Sequence, residues 1–125
     1  MFNHIVLGTN DSAAAKQFYD ATLGSLGASP CKPDAKGRLT YFHDGGLLLI
    51  TPPIDGKPAT HANGGTIGFK MSDTAQVDAW HAAGCANGGT SCEDPPGWRE
   101  GDFGRLYLAY LRDPAGNKLC GVYRD

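Results

Sequence analysis

The sequence predicts an α+β fold: two βαβββ modules whose strands make one curved mixed sheet, with the helices on its convex face. Three features lead there. The C-terminal hairpin is apolar on both faces, the same order of elements occurs twice, and a Pro- and Gly-rich stretch lies where the two copies meet.

The hairpin is the stretch GRLYLAYLRDPAGNKLCGVY, Gly104 to Tyr123. Arg105 to Arg112 is rich in Leu, Tyr and Ala, and Lys118 to Tyr123 is a second apolar run. Between them Asp113 suits the first position of a type I turn, Pro114 presets φ for the second, and Gly116 tolerates left-handed backbone. Alternation puts Leu106, Leu108 and Tyr110 on one face, and Tyr107, Ala109 and Leu111 on the other. A sheet wet on one side alternates apolar with polar. Here one face is expected to pack on helices and the other to line a ligand-filled concavity.

The repeat has a first offset of 62 residues. Asn3 to Gly8 is a strand; Thr9, Asn10 and Asp11 are N-cap types; Ala15, Phe18, Tyr19, Thr22 and Leu23 recur at helical spacing. In the second copy Thr66 to Met71 is the strand and Asp73 falls on Asp11, with Gln76 as a capping-box partner. Val77, Trp80, His81 and Gly84 fall on Ala15, Phe18, Tyr19 and Thr22. Phe18 and Trp80 are therefore core, and His81 partly exposed. Gly37-Arg38-Leu39 then matches Gly104-Arg105-Leu106, and Leu47-Leu48-Leu49 matches Lys118-Leu119-Cys120. The chain reads as a single domain, 1–125, with modules 1–54 and 64–125 joined by linker 55–63.

A length of 125 residues suits one core. Eleven basic against 13 acidic residues leave no basic surface of the kind nucleic acid requires. No apolar run approaches the roughly 20 residues of a membrane span. Met-Phe-Asn-His opens without the charged and apolar regions of a signal peptide. The four cysteines (31, 85, 92, 120) form no Cys-x-x-Cys pair and read as reduced thiols. The expectation is a cytoplasmic protein with no nucleic-acid or membrane partner.

Paired βαβββ modules, with His4 in the first strand and Arg112-Asp-Pro-Ala-Gly-Asn-Lys118 before the last, resemble the glyoxalase/bleomycin-resistance/extradiol-dioxygenase (vicinal oxygen chelate) superfamily. His61 to Thr66, Gly88 to Thr90, Pro96 to Arg99 and Tyr107 to Lys118 are similar to a bacterial glyoxalase-like branch of undefined chemistry. The resemblance covers nearly the whole chain. It implies a homodimer, a small organic ligand held in the concave sheet, and, in metal-dependent members, four ligand positions. Those positions fall here on His4, Leu49, Thr66 and Cys120. Two competent donors of four are too few for zinc or a dioxygenase iron. The expectation is no metal and no cofactor. The last strand also lacks the Glu that would serve as base in a glyoxalase-type proton transfer.

His4 is then the candidate catalytic residue, as a pocket-lining acid or base, its alternative being a buried imidazole bonded to a strand carbonyl. Cys120 lies in the last strand, either as an activated thiolate or as an inert thiol. His61 and Asn63 sit in the linker loop at the mouth of the expected pocket, where Asn63 is equally a turn former. Arg99, in a Pro-Pro-Gly-Trp-Arg loop, can clamp a carboxylate or phosphate beside Trp98 as a stacking wall. Of Tyr107 and Tyr110 at most one lines the pocket, and Tyr107 joins the candidate ligand-binding set. His43 has no assigned role. The leading function is small-molecule binding, with acid–base chemistry of lyase or isomerase type through His4 if the protein is an enzyme. The alternatives are a metal-dependent lyase or dioxygenase, and sequestration of a drug or metabolite without turnover.

Overall fold

Asp11 and Asp73, equivalent in the repeat, open the two helices of the molecule, which a computed structural model describes over all 125 residues. The Asp11 carboxylate accepts from Ala14 N at 3.0 Å and that of Asp73 from Gln76 N at 2.7 Å. Each cap satisfies one donor that the first helical turn leaves without a partner. Helix α1 spans Ser12–Gly24 and α2 spans Thr74–Ala86. The Gln76 side chain folds back as a capping box asks, but it accepts from Ser72 N, one residue before the cap. Asn10, the other N-cap type, instead bonds both backbone groups of Ala59 and so ties the linker to the end of the first strand.

The strands are β1 (Ile5–Gly8), β2 (Leu39–His43), β3 (Gly46–Thr51), β4 (Ile67–Lys70), β5 (Thr90–Gly101), β6 (Gly104–Arg112) and β7 (Lys118–Arg124). In the first module the order is β1-β3-β2, with β1 parallel and β2 antiparallel to β3. In the second it is β4-β7-β6-β5, with β4 parallel to β7 and the rest antiparallel. Both modules thus lay their first strand parallel to their last, as a duplication requires. The architecture is α+β, two helices with two mixed sheets.

Two expectations are corrected. The first module has no strand between its helix and its hairpin, so it reads βαββ. Pro30 and Pro33 fall in that segment, and proline has no N–H for a ladder. The strands also form a three-stranded and a four-stranded sheet rather than one continuous sheet, with no ladder between β1 and β4.

The modules meet through their helices instead. Phe18 of α1 and Leu111 of β6 both close on Gly84 of α2, where an added Cβ would collide with Leu111 and lie 3.2 Å from Phe18. A Cβ at Gly89 would lie 2.8 Å from the Gly84 carbonyl oxygen, which is backbone and cannot swing away. Absent side chains at these two positions admit α1 to the end of α2. Phe18 and Trp80 are both fully buried, as the repeat predicts. The buried apolar residues form one cluster drawn from both modules. The helix-facing sides of the two sheets therefore share an interior, and their opposite sides lie open. No helix is long and apolar enough to cross a membrane.

Candidate functional site

The open face of the second sheet carries the polar groups. Its ladders align Cys92, Tyr110, Cys120 and Gly68 in one row across β5, β6, β7 and β4. The next row holds Gly97, Leu108, Val122 and Lys70, and the one beyond it Arg99, Leu106 and Arg124. Directly paired residues project to the same side. Lys118, one row the other way, stands over the Tyr110 ring at 5.0 Å and pairs with Glu93 at 2.5 Å.

A bulge between Cys92 and Gly97 shapes this edge. Glu93 there holds φ +58°, left-handed backbone that a non-glycine residue rarely adopts. The bulge turns the carbonyls of Asp94 and Pro95 toward Arg99, whose Nη2 donates to them at 3.2 and 2.8 Å. Prolines 95 and 96 are tolerated because β5 is an edge strand. So the loop expected at Pro96 to Arg99 is the second half of β5, and in a strand Trp98 and Arg99 point to opposite faces.

Protonation follows from burial. Burial, with the nearby Cys120 sulfur, pushes the Tyr110 phenol up to about 12. Burial also raises the Cys120 thiol, outweighing the hydrogen bond from Tyr110 and the cations Lys118 and Arg99 that favour thiolate. At neutral pH the face presents a phenol, a thiol and the Arg99 guanidinium: hydrogen-bond donors, with no activated nucleophile.

The other predicted site residues do not converge on this face. Tyr107 points to the helix-covered side, where its hydroxyl donates to Asp78 at 2.8 Å. Trp98 joins it edge to face at 5.3 Å, under the Arg105 guanidinium at 3.9 Å. Tyr107 and Tyr110 do lie on opposite faces, as alternation requires. His61 is exposed and stacks at Gly116 of the β6–β7 turn, and Asn63 is exposed in the linker turn. His4 precedes β1, is exposed, and bonds Asn3 Oδ1 at 2.8 Å.

His4 lines a different space, a cavity of about 650 Å³ between the modules. Its walls include Ile5, Leu26 and Leu48 from the first module and Ile67, Phe69 and Met71 from the second. His43 lies in its lining as well. Sequence reasoning left His43 without a role because the cavity depends on how far a hairpin reaches. It also weighed Tyr110 against Tyr107 and carried Tyr107 forward, and it gave Cys92 and Lys118 no role.

The residues present do not fit a metal ion. Leu49 offers hydrocarbon opposite Val6 and Thr40, Thr66 offers an exposed hydroxyl, and no three His, Cys, Asp or Glu side chains gather anywhere in the chain. All four cysteines are free thiols.

Residues 1–120 match the profile of the Glyoxalase/Bleomycin resistance protein/Dioxygenase superfamily. A glyoxalase/bleomycin resistance protein from Albidiferax ferrireducens T118 is 54% identical, superposes with a TM-score of 0.95, and the match covers 99% of each chain. A glyoxalase-related enzyme from Fulvimarina pelagi is 18% identical with a TM-score of 0.75, over 99% of this chain and 88% of that one. A lactoylglutathione lyase from Agrobacterium tumefaciens is 23% identical with a TM-score of 0.67, over 98% and 92%. The last two share the fold. No curated protein matches the chain. From the profile over 120 residues and the 54% identical structure, the chain belongs to the glyoxalase/bleomycin resistance/dioxygenase superfamily.

Proposed function

We propose that this protein binds a small anionic, partly aromatic organic molecule on the open face of the second sheet, and that it works as a homodimer. The observation that carries the reading is the set Arg99, Tyr110 and Cys120 on the sheet face turned away from the helices, with Cys120 buried among its neighbours. Arg99 supplies charge-assisted donors for a carboxylate or phosphate. Tyr110 supplies a hydroxyl donor and a ring, and Leu108 and Val122 supply apolar contact.

The open face of the first sheet is the cover. Phe42 is 72% exposed and Val6 50%, an apolar surface that a lone chain leaves in water. Placing the first sheet of one copy over the second sheet of its partner buries both faces and makes two equal sites, the economy of a two-fold pair. Four free thiols support a reducing, cytoplasmic setting.

The protonated state of the face favours binding over turnover. A base for proton abstraction titrates near working pH, and neither Tyr110 nor Cys120 does. Sequestration without chemistry is the form of this function best matched by the residues.

The test is a thermal-shift screen of aromatic carboxylates and phosphates, followed by Arg99→Gln. A hit raises the melting temperature, the variant weakens it by about tenfold or more, and the ligand is recovered unchanged after long incubation. Turnover would overturn the sequestration reading. Binding unaffected by Arg99→Gln would overturn the site.

A further inference from the structure

We propose that the cavity between the two modules is a second ligand site, separate from the open sheet face, and that it takes a monoanionic amphiphile: an apolar chain or ring system ending in a carboxylate.

The space is a half-open cleft between the modules. About 650 Å³ lies within the range of small-molecule pockets. Its apolar walls are helix-facing residues of both sheets, with Leu26 beyond the end of α1 and Phe69 and Met71 opposite, while Gly68 and Lys70 of the edge strand β4 stand at its rim. Elsewhere in the molecule these surfaces are packed under the helices. A wall of this composition left unpacked favours an apolar guest.

The cavity has a structural cause. The first module's hairpin turns through only Asp44 and Gly45, both at positive φ, the two-residue turn that holds a tight hairpin. The second module's hairpin turns through Asp113 to Asn117, and that longer turn reaches across to the first module. The short turn makes no matching reach toward β4, and the gap it leaves is lined by His43, Asp44 and Gly46 on one side and by Lys70, Ser72 and Gln76 on the other.

The polar part of the lining sets the sign of the guest. His4 and His43 line it and Lys70 stands at its rim on the edge strand β4, with Asp44 as the one carboxylate. An anionic head group is complementary to that set, and a cationic one is not.

Decanoate, decanol and decyltrimethylammonium are the probes, read by intrinsic fluorescence. Trp80 lies 6.2 Å from the ring of Phe69, a wall residue, so it reports filling of the cavity. The expected result is one decanoate per chain at micromolar concentration, with decyltrimethylammonium about tenfold weaker or more. Leu26→Trp should fill the space and abolish binding with the fold intact by circular dichroism. Lys70→Gln combined with His43→Gln, both exposed positions, should erase the preference for decanoate over decanol. No saturable binding of decanoate, or binding that survives Leu26→Trp, would overturn the site. Should Leu26→Trp fail to fold, the head-group series on the double Gln variant decides alone. Equal affinity for the anion and the cation would overturn the assignment of the guest.

Discussion

The two places where one module's hairpin turn meets the other module are built differently. At the first, the β6–β7 turn closes on the end of β1 and on α1. Asp113 is buried and accepts from the Tyr19 hydroxyl at 2.6 Å, from Ala115 N at 2.9 Å, and from the backbone N and side-chain Nδ2 of Asn117, both at 2.8 Å. Asn117 Nδ2 also donates to Gly8 O at 3.1 Å, which ties the turn to the first strand. At the second, the β2–β3 turn faces the end of β4 across the cavity. His81, the repeat equivalent of Tyr19, bonds only exposed partners, the Ser91 hydroxyl at 2.9 Å and the Cys85 thiol at 4.0 Å. Duplication supplied the same scaffold twice, and turn length decided which junction is cemented and which is left open.

The comparison is broken most directly at Asp113. Asp113→Ala leaves the Tyr19 hydroxyl and two backbone N–H groups without their acceptor and the Asn117 amide with Gly8 O alone, and should cost about 3 kcal/mol or more in urea unfolding. Next in size is Tyr19→Phe, which removes one charge-assisted hydrogen bond and should cost about 1.5–2 kcal/mol. The matching change in the other module, His81→Phe, should stay within about 0.5 kcal/mol, because its side-chain partners, Ser91 and Cys85, are both exposed. Equal costs for Tyr19→Phe and His81→Phe would show that the junctions are equivalent after all.

The smallest effect is in pH. Burial lowers the His81 pKa below its ordinary 6.5, against the weaker pull of Asp78. A folded pKa below the unfolded one means that the unfolded chain binds more protons as pH falls through 6.5. The contribution of His81 is therefore full above pH 6.5 and is lost as pH drops toward the folded value. His81→Gln should flatten the stability profile between pH 7 and 5, and an unchanged profile would mean that His81 is as wet in the fold as out of it.

Much of the fold was legible. The helix caps Asp11 and Asp73, the buried pair Phe18 and Trp80, and the Asp113 turn all depend on local chemistry or on the 3.6-residue period, and those signals sit in a few neighbouring residues. Strand β5 was less so. Its two prolines and glycine look like a loop, and only pairing with β6 on one side and water on the other makes them acceptable as an edge. That misreading carried into the site, since it placed Trp98 beside Arg99 rather than across the sheet from it. His4 drew attention from its family position, yet its surroundings are set by the cavity, a property of two modules and not of one strand.

The amino-acid order by itself determined the duplicated architecture, the helix boundaries and the two-faced hairpin, because each follows from contacts within one element or between adjacent ones. The arrangement of the modules needed the tertiary structure. Gly84 and Gly89 admit Phe18, the helices meet, and the open sheet faces turn away from the shared core. Long-range packing of that kind is decided by which side chains are missing as much as by which are present, and a linear pattern records no distance between them.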